Sequence, residues 1–373
     1  MTSNGSTTPL GRLSQLGQSV WVDYISRQAL EDGELARLVR EDSVVGLTSN
    51  PTIFQKAIAS GDAYDDQLRE VLEHEEDGGE VFLQLAVTDI KDAADLLLPI
   101  WEEGSGGDGY VSLEVDPTLA HDAQGTAEAA QRIWQLVDRP NLLVKIPGTH
   151  EGLQAIEDTI ARGISVNVTL LFSLERHSEV CDAYIRGLER LVADGGDPTG
   201  VASVASFFIS RVDTEVDNRL DEAGGHDELK GKAAIANAKL AYQTYKQKFA
   251  GDAWQALADK GATPQRALWA STSTKNPDYR DVIYVEELIG SQTVNTMPVE
   301  TIEAFQDHGE PTAAIEEDLD DARKVFDDLE AAGVDMADVG ETLEREGVEK
   351  FADSYQALLE DVKQKRDAMA ARA

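Results

Sequence analysis

The chain has 373 residues, 33 Lys and Arg against 70 Asp and Glu, a net charge of −37 and a pI near 4.3. Apolar content of 42% and a mean hydropathy of −0.32 describe a folded globular chain rather than a disordered one. The acidity disfavours nucleic acid and anionic membranes as partners, and no apolar run approaches the ~18 residues of a membrane span.

The start, MTSNGSTTPLGRLSQLGQSV, lacks an apolar leader core, so secretion by that route is not expected. The single cysteine, Cys181, excludes an intrachain disulfide framework and a cysteine-rich zinc site. A reducing cytoplasm is the expected compartment. Acidic runs such as Glu316, Glu317, Asp318, Asp320 and Asp321 read as solvated helix faces, and the total fits a salty cytoplasm where charge repulsion is screened.

In chain order, β-rich segments fall at 19–25, 44–50, 110–116, 142–147, 164–170, 201–210, 266–272 and 293–297. Amphipathic helices separate them. Apolar residues continue too long over 80–103 for a strand, so that stretch reads as a helix. In 173–194, Val180, Tyr184, Leu188 and Leu191 share a face, with Ser173 as N-cap and Gly195 as stop. Residues 311–373 are read as wholly helical. One stripe there runs through Ile315, Leu319, Ala322, Phe326 and Leu329, another through Phe351, Tyr355, Leu358 and Val362. Strands alternating with helices imply parallel pairing, and eight of them imply a closed (β/α)8 TIM barrel with additional C-terminal helices. An open doubly wound sheet is the competing reading. No linker divides the chain, so residues 1–373 are expected to form one domain, with the barrel over about 17–305 and a helical extension over about 311–373.

Several motifs point nowhere. Gly104–Gly109 matches G-x-G-x-x-G, but it follows a helix and precedes a strand, the reverse of the dinucleotide fingerprint. The six histidines (His74, His121, His150, His177, His226, His308) include no pair at helical ligand spacing. Asn167-Val168-Thr169 is a formal glycosylation sequon that reads as strand interior. Cys181 lies beside an apolar helix face and reads as a packed thiol.

The informative pattern is period-two alternation with polar groups on one face. Ser112, Glu114 and Asp116 oppose Val111, Leu113 and Val115. Lys145 opposes Leu142, Val144 and Ile146. Ser165, Asn167 and Thr169 oppose Val166, Val168 and Leu170. Trp21 and Asp23 oppose Val20, Val22 and Tyr24. A further strand ends in Thr48-Ser49-Asn50, and Ser206 shares a face with Phe208. In a barrel the outer face packs under helices, so these polar groups converge inside, near the carboxyl ends of the strands. Left unpaired, each costs about 1–3 kcal/mol, so their convergence points to an active site. Lys145, flanked by Leu143, Val144, Ile146 and Pro147, faces desolvation, which favours a neutral amine able to form a Schiff base with a ketone. Glu114 and Asp23 stand as proton-transfer groups. The alternative is a Lys145–Glu114 ion pair with a structural role only. Arg211 and Lys275, each after a strand end, point to an anion such as phosphate, with rim salt bridging the alternative for Lys275.

Together these pieces resemble the transaldolase family: Val22-Asp23, GLTSNPTIF (46–54), VSLEVDP (111–117), NLLVKIPGT (141–149), GISVNVTLLFS (163–173), VASFFISRVD (204–213), ASTSTKNP (270–277) and VNTMP (294–298). They span about residues 17–305, in family order, and the longer bacterial form also carries extra C-terminal helices. The resemblance implies a class I aldolase-type barrel with the Schiff-base lysine on the fourth strand, where Lys145 stands. It implies that Lys145 attacks a donor ketone, that Glu114 moves protons with a water held by Thr169, and that Asp23 takes the hydroxyl proton as the carbon–carbon bond breaks. It implies that Asn50 and Asn167 hold a dihydroxyacetone Schiff base, that Ser206, Arg211 and Lys275 receive a phosphate, and that Ser271 belongs to the substrate-binding set. Phe208 fits the transferase branch, since small relatives acting as simple aldolases tend to have Tyr there. Some branches carry Arg where Lys275 stands, and a lysine binds phosphate as a point charge rather than a fork.

The family mechanism uses no metal and no organic cofactor. The expected partners are sugar phosphates, with neither nucleic acid nor membrane, and the expected state is a monomer or homodimer. The chain is too short for the isomerase domain of fused relatives. A fructose-6-phosphate aldolase, or an inactive acidic barrel acting as a binding protein, are the alternatives.

Overall fold

The computed structural model describes residues 8–370, with side chains to 369, so residues 1–7 and residues 371–373 of the C-terminal segment lie outside the described residues. Eight parallel strands, β1 (Gln18–Val22), β2 (Val44–Thr48), β3 (Tyr110–Glu114), β4 (Leu142–Pro147), β5 (Val166–Leu171), β6 (Ser203–Phe208), β7 (Arg266–Ala270) and β8 (Thr293–Met297), pair in sequence order. β1 and β8 pair from Gln18–Thr293 to Val22–Met297, which closes the ring and excludes the open sheet. Most strands are shorter than their β-rich segments. Glu114 ends β3, and Asp116, two residues on, leaves the polar face to cap a 3-10 turn by accepting from Thr118 N at 2.8 Å.

The barrel interior is filled in layers, as a small closed sheet requires. Trp21 is fully buried low in the ring, and its indole N–H reaches Asp108 Oδ1 at 3.1 Å. Gly46 makes room for it: a Cβ at that position would lie 2.4 Å from the indole ring. Gly46→Ala is therefore expected to overpack the core and cost about 1–3 kcal/mol, read as a lower urea midpoint at unchanged m. The GSGGDG segment closes the amino end of the barrel instead of opening a helix. Asp108 accepts from Ser19 Oγ at 2.7 Å and pairs with Arg266 at 3.2 Å.

The helix Leu174–Ala193 begins as its sequence implies, with Ser173 Oγ accepting from Arg176 N, and Gly195 follows its end in the left-handed region at φ 83°. Cys181 is fully buried on it, with burial pushing the thiol up to about 12, and Asn167 of the formal sequon is buried within β5. The helix Gly78–Glu103 covers the expected 80–103.

The C-terminal segment departs from a continuous helix. Residues 309–314 are irregular and 315–318 form a turn, in which Ile315 is buried. The helices Leu319–Ala331 and Met336–Ala370 follow. The second stripe holds: Phe351, Tyr355, Leu358 and Val362 are all buried beneath the last helix. Each such side chain contributes about 1.5–3 kcal/mol of burial. Polar ties fix the helix along its length, from Arg219–Asp338 (2.6 Å) and Arg176–Glu344 (3.2 Å) through Thr52–Ser354 (2.8 Å) to Lys365–Asp65 (2.9 Å). No helix of the described residues is long and apolar enough to cross a membrane.

Candidate active site

At the carboxyl end of the barrel a cavity of about 280 Å³ is lined by Asp23, Asn50, Lys145, Thr169, Ser206, Phe208, Arg211, Ser271 and Lys275, among others. Parallel register explains the grouping. Glu114, Lys145 and Asn167 are Cα partners across β3, β4 and β5, so their inward side chains stand side by side in one layer.

Lys145 is 4% exposed. Its Nζ donates to Ser49 O at 3.0 Å and lies 3.5 Å from Glu114 Oε2. The ion pair weighed from the sequence is thus formed, but on the floor of a cavity rather than within a sealed core. Neither Glu114 oxygen has a hydrogen-bond partner, although both are buried. Burial pushes the Glu114 carboxyl up to about 7 against the opposing pull of Lys145, so it can hold or release a proton near neutrality.

Asp23 sits just beyond β1, and its backbone N–H extends the ladder to Met297 O at 2.8 Å. Its Oδ1 accepts from Thr48 Oγ1 at 2.6 Å, and Thr48 in turn contacts Thr296 at 2.7 Å. Burial raises its carboxyl above the usual range, outweighing Lys145, Thr48 and Arg211.

Thr169 Oγ1 is buried, lines the cavity and has no partner, so a hydroxyl is available to a bound molecule. β5 breaks just after it. The register shifts between Val168 and Leu171, and Leu170 adopts φ 62°. Alternation therefore fails at Leu170, whose side chain packs near Gly347 of the last helix instead of continuing the outer face of Val166 and Val168.

Asn50 caps the helix Pro51–Ala59 with its Oδ1, accepting from Ile53 N at 3.0 Å, so its amide NH2 is the end that can serve a ligand. Asn167 lies deeper than the sequence implied. Its Nδ2 donates to Ser112 Oγ at 3.0 Å and its Oδ1 accepts from Ser206 Oγ at 2.7 Å, and it does not line the cavity. The structure brings Ser206 to the cavity and couples it to Asn167 beneath.

Arg211 opens the helix Ser210–Ala223 and lies over the Phe208 ring at 5.1 Å. Burial holds its pKa below the ordinary arginine value, opposed by Asp23 and Glu114. Ser271 has φ 57° and its hydroxyl meets that of Ser210 at 2.8 Å, which pins the loop after β7 to the start of the Arg211 helix. Lys275 stands exposed at the rim and donates to Ser273 Oγ at 2.8 Å rather than to a carboxylate.

Among the lining residues that escaped the sequence reading are Lys56, Thr296, Lys350 and Phe351. Phe351 comes from the last helix. Its ring centre is 5.8 Å from Lys145 Nζ and 5.8 Å from the Arg211 guanidinium. The extension therefore forms one wall of the cavity. The apolar stripe announced a buried face at Phe351, but nothing local told what it covered. Among the described residues no group of three or more His, Cys, Asp or Glu is arranged to hold a metal ion.

The chain is similar to known proteins over nearly its whole length. The family model described as Transaldolase/Fructose-6-phosphate aldolase matches residues 20–362. A protein of Frankia alni named Transaldolase is 54% identical over 96% of this chain and 97% of its own. Proteins of that name from Thiobacillus denitrificans (51% identical; 94% of this chain, 98% of theirs) and Mycobacterium ulcerans (50%; 97% and 98%) are close to it. A solved structure of a putative fructose-1,6-biphosphate aldolase from Coccidioides immitis aligns at 12% identity and a TM-score of 0.27 over 86% of this chain and 95% of its own, too distant to bear on the site. With a matching family model over most of the barrel and its last helix, and relatives at half identity or above, the chain belongs to the transaldolase/fructose-6-phosphate aldolase family.

Proposed function

We propose that the protein is a transaldolase of the non-oxidative pentose phosphate pathway, working in a reducing cytoplasm as a monomer or homodimer. It moves a dihydroxyacetone unit reversibly from sedoheptulose 7-phosphate to glyceraldehyde 3-phosphate, giving erythrose 4-phosphate and fructose 6-phosphate. The observation that carries this reading is Lys145 Nζ on the cavity floor, 3.5 Å from a buried carboxyl held near pKa 7.

Lys145 Nζ attacks the donor's C2 carbonyl to give a carbinolamine. Glu114 delivers the proton with which the C2 hydroxyl leaves as water, through a water held on Thr169 Oγ1. Asp23 removes the C4 hydroxyl proton as the C3–C4 bond breaks. The electron pair of that bond passes into the Schiff base as an enamine, and the aldose phosphate leaves. The acceptor aldehyde then adds to the enamine, its oxygen takes the proton back from Asp23, and hydrolysis frees Lys145. Asn50 holds the hydroxyls of the three-carbon unit, with Asn167 supporting from below through Ser206. Arg211, Ser271 and Lys275 receive the phosphate.

The test is borohydride reduction in the presence of fructose 6-phosphate, followed by peptide mass spectrometry. The expected result is a reduced three-carbon adduct on Lys145. The absence of any adduct would leave an inactive binding barrel as the better reading. Free dihydroxyacetone at full turnover without an acceptor aldehyde would make it a fructose-6-phosphate aldolase.

A further inference from the structure

The cavity is a positive site in a chain with more than twice as many acidic as basic residues. Lys56, Lys145, Arg211, Lys275 and Lys350 all line it, against one acid, Asp23. Lys145 is paired with Glu114, but among the described residues none of the other four cations has a carboxylate within the 4.0 Å of an ion pair. For Lys350 this is not for want of acids, because Glu346 and Asp353 stand one helical turn away on either side. The four come from separate elements: Lys56 from the helix Pro51–Ala59, Arg211 from Ser210–Ala223, Lys275 from the loop after β7, and Lys350 from Met336–Ala370. They feel one another. Partial desolvation at the rim first, then the positive charges of Lys350, Arg211 and Lys56, hold the Lys275 ammonium below its ordinary pKa, with Glu300 opposing. Like charges gathered without counter-charges are unfavourable in the empty site and favourable once a dianion enters.

We propose that Lys350 of the C-terminal helix and Lys56 complete the phosphate seat begun by Arg211 and Lys275, so that the C-terminal extension is part of the substrate site and sets the preference for phosphorylated over unphosphorylated sugars. The inference rests on the transaldolase reading for its substrate, but not for the binding of phosphate itself. Seating of the helix supports it. Phe351, adjacent to Lys350, packs over Arg211, and a Cβ on Gly347 would lie 3.6 Å from an Arg211 guanidinium nitrogen. A Cβ at 347 would crowd Leu170 at 3.0 Å and come into ordinary contact with that arginine. The helix is thus held at the height where Lys350 reaches the same anion. An alkyl-ammonium on each of two helices also suits a site that must accept phosphates on sugars of different length, because a flexible point charge follows the anion where a guanidinium fork would fix it.

The experiment compares the full-length chain with Lys56→Ala, Lys350→Ala, the charge-retaining Lys350→Arg and the double alanine variant. Two readouts are used: calorimetric binding of inorganic phosphate, and the ratio of kcat/KM for fructose 6-phosphate to that for fructose. Each alanine substitution is expected to weaken phosphate binding about tenfold and to lower the ratio by a similar factor, mainly through KM for the phosphorylated sugar. Lys350→Arg is expected to restore most of both. Phosphate binding and a ratio unchanged in the double variant would overturn the inference even where Lys145 still traps its adduct. A wild-type protein that binds phosphate through these lysines yet traps no adduct would overturn the enzymatic reading and leave the anion seat standing.

Discussion

Lys145→Ala is expected to lower turnover by at least about 10⁴-fold and to abolish the borohydride-trapped adduct. The lysines at 56, 275 and 350 stand toward the rim, so none replaces an amine fixed on the cavity floor by Ser49 O and Glu114. Lys145→Arg separates nucleophile from charge. It keeps a cation beside Glu114, but a guanidinium does not form the Schiff base, so it is expected to be as inactive as the alanine variant. Removing one member of a buried pair usually costs about 3–5 kcal/mol, because the remaining charge is stranded. Here the stranded group is a carboxyl already pushed to about 7, and losing Lys145 removes the charge that holds it down. Glu114 then keeps its proton at neutral pH, and the alanine variant is expected to fold, with a loss of stability that grows toward alkaline pH. Circular dichroism melts at two pH values check this. A Lys145→Ala variant with full turnover would remove the covalent mechanism altogether.

The sequence displayed the ring of strands and most of the site because both rest on local alternation. Helices cover the outer face, so apolar residues must point out, and any polar residue of opposite parity must point in. That argument reaches Glu114, Lys145, Thr169, Ser206 and Asp23 directly. It fails where the strand is irregular or ends. Asp116 has the parity of Glu114 but lies past the end of β3, and Leu170 has the parity of Val168 but sits on a positive-φ break. Parity also reports direction and not depth. Asn167 points inward, as expected, yet Ser112 and Ser206 take up both ends of its amide. Contacts across long stretches of chain were invisible. Phe351 and Lys350 meet residues more than a hundred positions away, and an exposed lysine such as Lys56 differs from any other only by what surrounds it in space.

Glu114→Gln is expected to lower kcat by about 10²–10⁴-fold, the range for loss of a positioned proton-transfer group, and to remove the limb of the kcat/KM profile that titrates near pH 7. Its effect on stability has a definite sign. In the unfolded chain this carboxyl titrates at about 4.3, whereas in the folded protein burial holds it near 7. Between those values the folded state keeps a proton that the unfolded state has released. Stability contributed by this group therefore falls as pH rises through that window and is level above it, a change on the order of 3 kcal/mol. Glutamine carries no such titration. The stability gap between wild type and variant should thus move in the variant's favour between pH 5 and pH 8, whatever its offset from losing the contact to Lys145. Urea midpoints at the two pH values measure the shift. A gap that stays constant, with the limb near pH 7 intact, would mean that Glu114 is ionised throughout and that the proton for carbinolamine dehydration comes from elsewhere; Asp23, the other buried carboxyl beside Lys145, would then be the group to substitute.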